Sequence, residues 1–91
     1  MRAVNTRIWT VEIHHRHGCD VISGDAAVRS ATDALYEYVT DYWHEIAGEL
    51  PDGATAPLPD EVPIDVDDAI RLYFETHPCE SFDMHEQALA R

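Results

Sequence analysis

Along residues 7–15, RIWTVEIHH, apolar and polar positions alternate, with Trp9, Val11 and Ile13 on one side and Ile8, Thr10, Glu12 and His14 on the other. A period of two belongs to an extended chain with one buried face, so a half-buried strand is expected here. RHGC follows, with a glycine able to take positive φ, and CDVIS resumes as a short apolar run. The pair reads as a hairpin turning near His17 and Gly18, with a short second strand.

The period then changes. Between residues 26 and 50 apolar residues recur at 28, 31, 35, 39, 42, 46 and 50, which at about 100° per residue lie within about 50° of one direction. That stripe predicts one long helix, with Ser23 or Asp25 as its N-cap and Gly48 and LPDG marking its end. Residues 51–64 hold four of the five prolines and follow neither period, so they read as an extended loop. In DVDDAIRLYFETH, Asp65 is placed to cap a second helix with acids in its first turn, where the helix dipole favours them. Its apolar stripe is Val66, Ala69, Ile70, Tyr73 and Phe74, and it ends at His77 before Pro78. CESFDMHEQALA alternates Phe82 and Met84 against Ser81, Asp83 and His85 and predicts a last strand.

The order β-β-α-α-β leaves no room for crossovers. The expected fold is a single α+β domain over 1–91, a three-stranded antiparallel sheet with the first strand central and both helices on one face. Its expected core joins Trp9, Val11 and Ile13 to Leu35, Val39, Tyr42 and Ile46 of the long helix and Ile70 and Phe74 of the short one.

Charge changes the picture from fold to function. Eighteen Asp and Glu stand against six Arg and no Lys, for a formal charge of −12. Such an excess repels phosphate backbones and anionic lipid, so direct nucleic-acid or membrane binding is disfavoured and basic protein partners are favoured. No apolar run approaches the length of a membrane span, and the N-terminal stretch lacks the apolar core of a signal peptide, so a cytoplasmic protein is expected. Cys19 and Cys79 are expected as reduced thiols.

Two clusters invite a metal reading: HHRHGC, with His14, His15, His17 and Cys19, and HPC, with His77 and Cys79. Strand geometry sends His14 to the face opposite His15 and His17, and neither cluster has the ligand spacing of a zinc finger or ribbon, so no metal or other cofactor is expected. No nucleophile elbow, glycine-rich loop or carboxylate pair frames either cysteine, so no enzymatic activity is expected.

The remaining feature is a row. In DALYEYVTDYWHEIAGEL, acids recur at every fourth position: Asp33, Glu37, Asp41, Glu45 and Glu49. On a continuous helix each step rises about 6 Å and gains about 40° beyond a full turn, so five acids climb about 24 Å in a spiral stripe. Phosphates along one DNA strand are roughly 6 to 7 Å apart, a similar spacing. Like charges at i,i+4 disfavour the helix by a few tenths of a kcal/mol each, and no Lys or Arg interrupts the row after Arg29. The competing reading is an ordinary wet face whose acidity serves solubility alone, and the lack of lysine also fits a GC-rich genome or a high-salt cytoplasm.

In its small size, its acidity and the carboxylate row of DALYEYVTDYWHEIAGE, the chain resembles the anti-restriction and anti-CRISPR inhibitors of phages and other mobile elements that imitate nucleic acid. The resemblance implies no chemistry of its own. It implies a stoichiometric protein partner, a host defence effector whose basic channel normally holds nucleic acid. The surface would comprise Asp33, Glu37, Asp41, Glu45 and Glu49, with Asp52, Asp60 and Glu61 of the loop extending it and Tyr36 and Trp43, off the apolar stripe, as aromatic contacts. Those same aromatics would equally serve a homodimer face. The alternatives from other classes are a metal-binding or regulatory module built on the His/Cys clusters and a housekeeping domain without mimicry.

Overall fold

A computed structural model of the chain describes residues 5–77 and 79–90, with side chains over 7–77 and 79–87; Pro78, expected just past the second helix, lies outside the described residues. The elements are β1 (Asn5–His15), β2 (Gly18–Asp25), α1 (Ala31–Tyr42), α2 (Val66–Thr76) and β3 (Ser81–Ala90), with a 3₁₀ turn at Trp43–Glu45 directly after α1. This is the expected α+β class and the expected order. The described residues fall into two compact units, 5–34 with 79–90 and 35–77.

In the first unit β1 is the central strand, paired antiparallel with β2 on one side and β3 on the other. Val11 lies opposite Ile22 and Met84, and Ile13 opposite Asp20 and Phe82, which fixes which side chains share a face. Val11 and Ile13 are fully buried and Trp9 is 3 % exposed. The turn falls at Arg16 and His17, with His15 paired to Gly18, whose φ of +140° is a conformation that disfavours any residue with a Cβ. Gly24 answers a different need. A Cβ there would lie 2.3 Å from Trp9 Cζ2, so the indole occupies the space a side chain would fill. The same indole N–H donates to the carbonyl of Arg29 at 2.6 Å, tying the central strand to the segment that follows β2.

The second strand is longer than expected and the long helix much shorter. The ladder continues to the Ile8–Asp25 pair, and the N–H of Ala26 extends it to the carbonyl of Arg7 at 2.8 Å. Asp25, expected as a helix cap, instead closes a turn: its Oδ1 accepts the N–H of Ala27 and its carbonyl those of Val28 and Arg29. The first helical turn is capped by Ser30, whose Oγ accepts the N–H of Asp33 at 3.0 Å. Val28, expected on the inward stripe, is exposed.

At the other end, Tyr42 leaves the helical region at φ −109°, ψ 6°. The 3₁₀ turn carries Trp43 and Ile46 inward, 2 % and 1 % exposed, while Tyr42 and Leu50, both expected inward, stay in solvent. Gly48, at φ +80°, then turns the chain. The helix thus spans 12 residues rather than 25, and the long apolar stripe is shared among a helix, a tighter turn and a loop.

The second helix forms as expected. Asp65 Oδ1 accepts the N–H of Asp68 at 2.9 Å, and His77 closes the last turn by donating its N–H to Tyr73. Ala69, Ile70 and Tyr73 are buried, as are Leu35, Val39 and Leu58 in the same unit. The helices meet through rings: Tyr38 stands edge-on to Tyr73 with centroids 6.1 Å apart and lies parallel to Phe74 at 6.5 Å. Among the described residues, no helix is long and apolar enough to cross a membrane.

Candidate functional site

Charge is distributed very unevenly between the two units. Residues 35–77 contain eleven Asp and Glu and a single arginine, Arg71, whereas the rest of the chain holds seven acids and five arginines. Nearly all of the net charge therefore sits in the helical unit. Arg71 is itself occupied, 3.3 Å from both Asp68 and Glu75 on its own helix.

The acid row exists only in part. Asp33, Glu37 and Asp41 are exposed on α1 and keep helical spacing, rising about 12 Å in all. Glu45 falls in the 3₁₀ turn and Glu49 in the loop beyond, so the expected five-acid spiral of about 24 Å is overturned by the break at Tyr42. Glu45 also turns aside: its Oε1 is 2.9 Å from His77 Nε2. Asp41, Glu49, Asp52, Asp60 and Glu61 are exposed carboxylates with no side-chain ion pair among the described residues.

The two aromatics expected at the surface do a different job. Trp43 is in the core, its indole N–H donating to the carbonyl of Pro59 at 2.9 Å. Tyr36 is half-buried and its hydroxyl donates to the carbonyl of Pro63 at 2.8 Å. A proline-rich segment has few donors of its own, and these two side chains satisfy its carbonyls from outside. They fix residues 51–64, which form neither helix nor strand, against α1 and the 3₁₀ turn. A second clasp closes the loop on itself: Gly48 N–H donates to Leu58 O at 3.0 Å and Leu58 N–H to Glu49 O at 2.8 Å, with the Leu58 side chain buried. Burial of Trp43 follows from the helix break, because the tighter turn rotates that position inward.

Pinning the loop creates a cleft of about 350 Å³ where Glu49, Leu50, Pro51 and Asp52 face Leu72, Glu75 and Thr76 of α2. Its chemistry is mixed, with Leu50, Pro51 and Leu72 lining it together with the acids Glu49, Asp52 and Glu75. A long cationic side chain, with an aliphatic stem and a charged head, matches both parts. Glu75 was not singled out from the sequence, where it looks like one more helix-surface acid.

The histidine and cysteine clusters are dispersed. His15 points to the face away from His14, with Nε2 3.2 Å from Asp20 and Nδ1 accepting the N–H of His17 in the turn. Cys19 and Cys79 are exposed thiols. Cys79 lies 3.5 Å from the Arg16 guanidinium, and that sulfur raises the Arg16 pKa above its ordinary value. Across the sheet, however, β1 and β3 bring together Glu12, His14 and Asp83, whose ligand atoms all lie within 4.8 Å of one another. Two of these three come from outside the clusters the sequence suggested.

Set against protein-family models, curated proteins and solved structures, the chain matches none of them.

Proposed function

We propose that the protein is a non-enzymatic, stoichiometric inhibitor whose acidic helical unit occupies the basic nucleic-acid channel of a host defence effector of CRISPR or restriction type. One observation carries this reading: the charge is concentrated. An acidity that serves solubility alone has no reason to leave one unit nearly balanced and load the other with eleven carboxylates against one arginine. Exposed Glu37 and Asp41 on α1, with Glu49, Asp52, Asp60 and Glu61 beyond it, provide carboxylates in place of phosphates, and the loop they flank is held by side-chain hydrogen bonds rather than left to order on binding. The cleft beside Glu49, Asp52 and Glu75 takes one arginine or lysine of that channel.

Competition is the test. Purified guide-RNA nucleases and restriction enzymes are assayed for cleavage with the protein added at equimolar and tenfold ratios, and binding to any that is inhibited is measured against its DNA or RNA. Mutual exclusion is expected, weakening as salt rises. An effector that holds its nucleic acid and this protein together, both at saturation, would return the acids to a solubility role.

A further inference from the structure

The outward face of the sheet carries a second arrangement, unrelated to the acidic unit. Alternation along β1 puts Glu12 and His14 on the face opposite Trp9, Val11 and Ile13, and the antiparallel register with β3 adds Asp83 and His85 to it. Glu12 lies directly opposite Asp83. Two carboxylates in that relation repel, and a cation between them removes the penalty. An imidazole flanks the pair on each side: His14 Nε2 is 3.2 Å from Asp83 Oδ2 and 4.0 Å from Glu12 Oε2, and His85 Nε2 is 3.7 Å from Glu12 Oε2.

Those separations have a meaning beyond hydrogen bonding. Ligands held at about 2.0 to 2.1 Å from a tetrahedral zinc ion are themselves about 3.3 Å apart. The His14–Asp83 separation has that length already, and the His14–Glu12 separation approaches it by side-chain rotation; the ligand atoms of Glu12, His14 and Asp83 all lie within 4.8 Å of one another, a set that His85 borders through Glu12 without joining. One imidazole with two carboxylates, and water in the fourth position, suits zinc or cobalt, whereas calcium and magnesium prefer shells made of oxygen alone.

We propose that Glu12, His14 and Asp83 form a binding site for one divalent transition-metal ion, zinc in the first place, clipping β3 to the central strand. The test uses the intact protein and the metal alone. Calorimetric titration with zinc is expected to show one ion per chain, cobalt to give the intense visible spectrum of a tetrahedral site without a sulfur charge-transfer band, and the melting temperature to rise by several degrees in excess zinc. His14→Ala, at a half-buried position, and Asp83→Asn, at an exposed one, should stay folded by circular dichroism and weaken binding at least about tenfold. Cys19, which faces His14 from β2, provides the control: Cys19→Ser should bind as the parent does. Absence of saturable binding, unchanged affinity in both ligand variants, or a sulfur band that vanishes in Cys19→Ser would each overturn the assignment, the last by moving the ion to the hairpin thiol.

Discussion

A single hydrogen atom decides whether residue 24 can sit beneath an indole. Because a Cβ at that position would come within 2.3 Å of the Trp9 ring, Gly24→Ala forces either the strand or the tryptophan to move. The expected loss is about 1 to 3 kcal/mol in urea unfolding; a loss below about 0.5 kcal/mol would mean that the ring yields freely. Truncation tests the opposite fault. Leu35 and Ile46 are buried at 0 % and 1 % exposure, and replacing either with alanine is expected to cost about 2 to 5 kcal/mol, a large share of the stability of a chain this short. If both changes cost under about 1 kcal/mol, the assignment of the inward face is wrong. Gly24 also shows what sequence could not supply: nothing in VISGD announces an aromatic ring from another strand.

Elements were legible where a local signal and the tertiary structure agreed. Alternation marked β1 and β3, and a carboxylate three residues ahead of Asp68 marked the start of α2. The long helix failed because periodicity records which side faces inward and is blind to a change of pitch. Ile46 stays buried through that change, so the stripe looks continuous while the backbone is not. Nor does sequence reveal that Asp25 is claimed by Ile8 in a neighbouring strand, a non-local pairing that outweighs the helix propensity of the alanines after it. The same limit hid the sheet-face cluster, since His14 and Asp83 are 69 residues apart and meet only through register. The acids themselves were visible by residue type, but their spacing beyond Tyr42 was not. At this scale the loop clasp is testable: Tyr36→Phe removes the hydroxyl bound to Pro63 and should cost about 0.5 to 1.5 kcal/mol. It should also speed limited proteolysis within residues 51–64, whereas cleavage at the parent rate would show the loop is held by other means.

For the whole molecule, folding and recognition can be separated by charge. Changing Asp41, Glu49, Asp52, Asp60 and Glu61 to their amides removes five charges that have no side-chain ion pair among the described residues, and Glu45 is spared because it bonds His77. The variant is expected to fold as well as the parent or slightly better, since like charges are removed from one surface. Its hold on a basic partner should fall steeply, since losing one fully desolvated ionic contact commonly costs about 2 to 5 kcal/mol. Unchanged affinity for an inhibited effector would exclude this surface as the contact. Protein stripped of metal by a chelator is expected to stay folded and to melt cooperatively, zinc adding only the few degrees that binding supplies; loss of the folded state on stripping would make the metal structural.

Trp9 and Trp43 are the only two indoles in the chain, and each compact unit holds one, buried and hydrogen-bonded to a backbone carbonyl. Intrinsic fluorescence therefore contains two separable reporters. With Trp43→Phe the emission follows the sheet alone, and with Trp9→Phe the helical unit alone, each shifting to longer wavelength as its ring meets water. Overlaying the two denaturation curves asks whether the units melt as one cooperative body, and an effector added to both variants reveals by quenching which of them it touches.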